Sequence, residues 1–166
     1  MIIGIDLGKL GGICIQEDNS FTTMVMPETY VELSNLIKEF SRKKFSLDKL
    51  EFEGCLVVFE ELHGIFSASK SSTWSLAEQS GALIGICTAL GLPFKAVPPK
   101  EWQQEMFQGL PPIRKATGST DTKAMALVAC KRLFPDVKVL MTSRSKVPHN
   151  GVVDAVLLSE YGRRKF

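Results

Sequence analysis

Three carboxylates stand where apolar sequence surrounds them. Asp6 closes the β-branched run Met1-Ile-Ile-Gly-Ile, Glu60 follows Cys55-Leu-Val-Val-Phe59, and Asp154 lies in His149-Asn-Gly-Val-Val-Asp154 at the start of a last apolar segment. Burial penalises the charged form of a carboxylate, so an Asp on a buried strand requires a cation, hydrogen-bond donors or a raised pKa. Several such groups within a few ångströms cannot all stay ionised unless cations neutralise them. Oxygen-only ligands suit Mg²⁺ or Mn²⁺, and the lack of a Cys/His cluster argues against zinc. Two such ions roughly 3.5–4 Å apart activate water and stabilise the leaving oxygen in phosphodiester hydrolysis. Each acid also has a plainer reading. Asp6 would serve as a turn residue bonding nearby amides, Glu60 as a strand-end surface group with Glu61 an equal choice beside it, and Asp154 as a first-turn acid favoured by the helix dipole. Taken together, the three favour metal.

The elements that position them follow from periodicity. Ile2, Ile3 and Ile5 read as a strand buried on both faces. Ile13–Glu17 and Phe21–Met26 continue a three-strand meander, turned at Asp18-Asn19-Ser20 and stopped by Pro27. Glycines at 8, 11 and 12 let the chain turn tightly beside Asp6. Thr29 with Glu32 forms a capping box before a helix whose Leu33, Leu36, Ile37 and Phe40 share one face. Cys55–Phe59 is the next buried strand, and residues 64–73, rich in Gly, Ser and Lys, read as a mobile loop. Trp74–Leu90 is a long helix, with Ala77, Gly81 and Gly85 permitting close packing on the sheet. Pro93–Val97 is a short strand and Lys100–Phe107 a short helix. Gly109–Ser119 is a basic loop, and Thr120 or Asp121 caps a helix to about Phe134. Val137–Met141 is the last strand and His149 opens the last helix. The order β-β-β-α-β-α-β-α-α-β-α predicts one α/β domain over residues 1–166, with a mixed sheet and helices on both faces.

Composition sets bounds. The 166 residues are 45% hydrophobic and 23% charged with a net charge of +2, an ordinary globular balance that by itself argues for no polyanion. Arg163, Arg164 and Lys165 at the C-terminal end, and Arg144 and Lys146 in a polar loop, read as solvated surface. Cys14, Cys55, Cys87 and Cys130 form no C-x-x-C pair, and their apolar surroundings mark buried thiols. No basic start precedes the N-terminal apolar run, and no stretch reaches the ~18–20 apolar residues of a membrane span. A cytoplasmic, reducing location is expected.

The segments I-G-I-D-L-G-K-L-G-G, V-V-F-E-E, W-S-L-A-E-Q-S-G, V-P-P-K-E-W-Q, D-T-K-A and H-N-G-V-V-D-A-V-L-L-S-E-Y-G-R-R resemble, in order and over nearly the whole chain, the RuvC family of Holliday-junction resolvases, most closely the small versions of bacteriophages. The resemblance implies an RNase H-like fold with a five-stranded mixed sheet, its first three strands antiparallel. It also implies a homodimer, and paired Mg²⁺- or Mn²⁺-dependent nicks in four-way junctions, forks and other branched DNA, with two ions per site. By position, Asp6, Glu60 and Asp154 match the family's metal-binding acids. The fourth ligand falls three or four residues before Asp154, where Gly151 and Asn150 stand. Asn150 shares a helical face with Asp154 but offers a neutral carbonyl oxygen, a weaker cation ligand, and His149 upstream is a possible compensating ligand. Lys9 follows the first acid and could reach a phosphate, as could Lys100 and Lys123, which align with family lysines near the scissile strand. His63, Phe66 and Trp74 border the loop that in the family reaches into the junction, with Phe66 the better wedge and Trp74 expected to pack in its helix.

Two other functional classes fit parts of the pattern. I-G-I-D-L-G also resembles the phosphate-binding turn of actin-like and sugar kinases, which pair two such domains where this chain has room for one. A non-catalytic junction-binding module would explain Asn150, although the intact Asp6, Glu60 and Asp154 weigh against it.

Overall fold

The computed structural model describes residues 1–166 except 43, 44, 47–50, 53, 63–69 and 143. The meander forms as its alternation requires: β1 (Ile2–Asp6), β2 (Gly12–Glu17) and β3 (Ser20–Val25) pair antiparallel, with Asp6 opposite Gly12. Helix α1 (Tyr30–Arg42) starts at the expected capping box. The Glu32 amide donates to Thr29 Oγ1 at 3.2 Å, and the Thr29 amide to Glu32 Oε2 at 3.1 Å. A two-residue ladder, β4 (Phe45–Ser46) with β5 (Glu51–Phe52), precedes β6 (Leu56–Glu60). Next come α2 (Lys70–Leu90), β7 (Phe94–Val97), α3 (Pro99–Met106), α4 (Thr122–Leu133) and α5 (Asn150–Lys165). Strands β6 and β7 join parallel to β1, which gives one five-stranded mixed sheet in the order β3-β2-β1-β6-β7.

Strand alternation divides the core. Ile3, Ile5, Val57 and Phe59 face α1 and α2 and pack with Leu33, Ile37, Leu83 and Cys87. Val58 and Cys14 face the other way, against α3, α4 and α5. Helix α5 is buried from Gly151 to Gly162 apart from a half-buried Asp154, because it lies between the sheet and α3 and α4. Its seat is cut from glycine. A Cβ on Gly4 would fall on the backbone of Ala155 and Ser159, and one on Gly12 would sit 2.6 Å from the backbone of Gly151 and Val152. Four free cysteines are all buried, and burial first of all pushes Cys14, Cys87 and Cys130 up to about 12, which leaves inert thiols. Among the described residues no helix is long and apolar enough to cross a membrane.

Four expectations need correction. Residues 137–141 form no strand; Leu140 makes an isolated bridge with Pro148. The backbone there is satisfied otherwise, with the His149 amide bonding Val139 O at 2.7 Å and the Thr23 hydroxyl bonding Lys138 O. Helix α2 begins at Lys70, so Ser71–Thr73 are helical, and the remainder of the expected loop, 64–69, lies outside the described residues. Gly81 and Gly85 do not pack on the sheet: a Cβ on either would meet nothing within 4 Å. Leu83 and Cys87 turn to the core instead, and Trp74 stands 74% exposed rather than packed.

Candidate active site

The same alternation that fills the core aims the acids. Asp6 shares a face of β1 with Gly4, and Glu60 shares a face of β6 with Val58, the face that α5 covers. In the parallel β1–β6 pair, Ile5 stands beside Phe59, so Asp6 and Glu60 each follow by one residue at the carboxyl end of the sheet. Asp154 arrives from α5, whose start is fixed by a bridge between Gly11 and Gly151. Two strand ends and one helix start therefore converge at an edge where α/β folds present ligands.

Their electrostatics register this proximity. Burial, then Asp154 and Glu60, push Asp6 up to about 8 against the opposing charge of Lys123. Burial, then Glu60, push Asp154 up to about 7, again opposed by Lys123. Lys123 is exposed in the first turn of α4, whose cap is Asp121 Oδ1 accepting the Ala124 amide at 3.1 Å. Such an acid cluster calls for positive charge, and its all-oxygen donors suit a hard divalent cation. The fit is one of donor type and charge. Among the described residues, no three His, Cys, Asp or Glu side chains are gathered closely enough to hold one ion.

The remaining expected residues fall into clear places. Gly151 cannot give way to a ligand-bearing residue, because a Cβ there would drive into the Leu10 and Gly11 backbone. Asn150, one helical turn from Asp154 and exposed, is therefore the position left for a fourth ligand. His149 caps α5, its Nδ1 accepting the Val152 amide at 3.3 Å, so Nε2 alone remains for any other role. Glu61 is exposed past the end of β6, its amide bonding Val97 O at 2.8 Å, and alternation turns it away from Glu60. Lys9 and Lys100 are exposed, the first in the β1–β2 turn and the second in the first turn of α3. His63 and Phe66 lie outside the described residues.

Three residues at the site have no counterpart among the expectations. Trp102 of α3 donates its indole N–H to Glu60 Oε2 at 2.9 Å. Gln79 of α2 accepts the Gly8 amide at 2.7 Å, which holds the turn behind Asp6, where Gly8 has φ +125°. Leu10 at the tip of that turn is 76% exposed. Trp102 reads as core and Gln79 as helix surface in sequence, and neither type signals a partner far along the chain.

No family model matches the chain, and no curated protein does. Among solved structures, it is similar to T. thermophilus RuvC in complex with Holliday junction substrate, at 14% identity and TM-score 0.52, over 99% of this chain and 96% of that one. It is also similar to a second Thermus thermophilus RuvC structure, at 15% identity and TM-score 0.50, over 98% and 95%. The α/β fold expected from the motifs is thus the one observed: the chain has a RuvC-like, RNase H-like fold.

Proposed function

We propose that the chain is a divalent-metal-dependent endodeoxyribonuclease that resolves four-way junctions and other branched DNA by paired nicks. The observation that carries this reading is the meeting of Asp6, Glu60 and Asp154 on one face at the carboxyl end of the sheet, close enough that Asp154 and Glu60 raise the pKa of Asp6 and Glu60 raises that of Asp154. Asp6, Glu60 and Asp154, with Asn150, would hold Mg²⁺ or Mn²⁺, two ions per site. Bound there, the cations would activate water and neutralise charge on the leaving oxygen. Lys123 already offsets the acids' charge, and it would contact phosphate together with Lys9 and Lys100, which are exposed.

Paired nicks need two copies. The outer face of α2, with Trp74 and Ile84 exposed and Gly81 and Gly85 in open space, is the surface on which a second copy would sit. The C-terminal basic residues make no such surface. Arg163 and Arg164 bond Glu160, and Lys165 bonds Glu105 at 2.7 Å, so their charge is used within the fold.

The test is nicking of a synthetic four-way junction beside linear duplex in Mg²⁺ and in Mn²⁺, by the wild type, Asn150→Asp and Asp154→Asn. Cutting of the junction by the first two and by neither metal in the third is expected. Cutting by Asn150→Asp alone would make the neutral residue limiting. Tight junction binding with no cutting by any of them would favour a non-catalytic binding module, the reading that the neutral Asn150 supports.

A further inference from the structure

We infer that Trp102 is the positioning residue for Glu60, fixing the orientation in which its carboxylate meets a cation; this rests on the assignment of Glu60 to the proposed nuclease site. A buried indole N–H needs an acceptor, and at 2% exposure Trp102 has water as none. It finds a carboxylate oxygen of the site, Glu60 Oε2 at 2.9 Å. A hydrogen bond from a buried donor ties that oxygen in place.

The donor is itself rigid. The indole packs edge-on against Phe107, with ring centroids 6.0 Å apart, and sits in the cluster with Val97, Met106 and α5. An indole has two rotatable bonds, and burial of the ring removes both freedoms. Its helix is placed by short connections. Pro98 and Pro99 start α3 directly after β7, and β7 pairs Val97 with Glu60. The strand that flanks the carboxylate therefore delivers the helix that grips it.

The other end of the support is α5, which carries Asp154. Tyr161 donates to Glu101 Oε2 at 3.4 Å, and Glu105 meets Lys165 at 2.7 Å and Arg164 at 3.6 Å. Trp102 thereby refers the orientation of Glu60 to the helix that holds another acid of the set. Groups that orient a metal ligand commonly change metal affinity 10–100-fold when removed.

The experiment replaces Trp102 by benzothienylalanine, in which sulfur stands where the N–H was and the ring shape is kept, with Trp102→Phe as an encoded comparison. Two readouts are taken. The chain has two tryptophans, so ¹H–¹⁵N spectra of the full-length protein contain two indole signals, and exposed Trp74 serves as the reference. The Trp102 signal should move on Glu60→Gln and on Mg²⁺ titration while the Trp74 signal stays. In nicking assays the benzothienyl variant should need about tenfold more Mg²⁺ for half-maximal rate, with junction affinity and circular dichroism unchanged. A Trp102 signal indifferent to Glu60→Gln, or an unchanged Mg²⁺ requirement, overturns the inference. A signal that answers to Glu60→Gln but not to Mg²⁺, in a wild type that nicks nothing, overturns the nuclease reading itself and takes the positioning role with it.

Discussion

Asp6→Asn should make the protein more stable while destroying its proposed site. The carboxyl of Asp6 lies at about 8 in the folded chain against an ordinary 3.8. Between those values the folded state holds the proton more tightly than the unfolded state does, so stability falls as pH rises across that window. At pH 7 the ionisable group costs roughly 4 kcal/mol by this linkage, and relaxation of the neighbouring acids should leave about half of it to be recovered by a neutral isostere. A gain of about 2 kcal/mol corresponds to a Tm rise on the order of 4–8 °C for a chain of this size. Scanning calorimetry of both proteins in EDTA at pH 7.5 and pH 4.5 measures it. At pH 4.5 the gain should shrink to under about 1 kcal/mol, because the wild-type carboxyl is then protonated in the folded state. Mg²⁺ at pH 7.5 should stabilise the wild type and narrow the gap, since an ion held by the folded site shifts the equilibrium. Equal Tm values at pH 7.5, or a gain of the same size at both pH values, would refute the buried, mutually repelling arrangement of the acids.

Other outcomes follow from other parts of the molecule. Glu160 is 2% exposed; burial pushes its carboxyl up, but hydrogen bonds from Arg163, Gln16 and Arg164 outweigh it and hold it at about 2. Its contribution is therefore complete above about pH 4.5 and lost as pH falls toward 2, so Glu160→Gln should cost about 1–3 kcal/mol in urea denaturation at pH 7 and much less at pH 2.5. Gly151→Ala should cost at least about 3 kcal/mol or prevent folding, because its Cβ has no space against Gly11, and the thermal unfolding curve will show it. Gly81→Ala should be neutral or raise helix stability by up to about 1 kcal/mol in the monomer. Gly81→Arg should leave the circular dichroism unchanged and convert the proposed dimer to monomer by sedimentation; a dimer that persists would move the seam off α2.

Much of the frame was legible because apolar period and chemistry agreed there. Isoleucines at 2, 3 and 5 and the run before Glu60 could only be buried strands, and a carboxylate ending each is conspicuous. Thr29 and Glu32 announce a helix start by their own side chains. What escaped depended on partners far along the chain. Val137–Met141 has strand composition, but it bonds the Thr23 hydroxyl and the His149 amide, and composition carries no record of that competition. Lys70–Thr73 look like loop because Ser and Thr favour caps and turns locally, although they extend α2. Glycines at 81 and 85 look like packing notches, and their spacing cannot say whether the sheet or open space lies opposite. The Glu60 carboxylate is visible in sequence as a candidate; the indole that holds it is 42 residues away and reads as core.

The glycine seat of α5 has a consequence for how such a chain can change. Asp6 and Asp154 are spaced by main chain lying against main chain, at Gly11, Gly12 and Gly151, with no side chain between. Core residues on either side of the sheet can therefore be exchanged for others of different size, and the resulting shifts need not reach the distance between the acids. The spacing of these two acids is insulated from the drift of the interior, whereas Glu60 depends on the core indole of Trp102. A backbone spacer of this kind tolerates wholesale replacement of the residues around it, which accords with a shared fold at 14% identity.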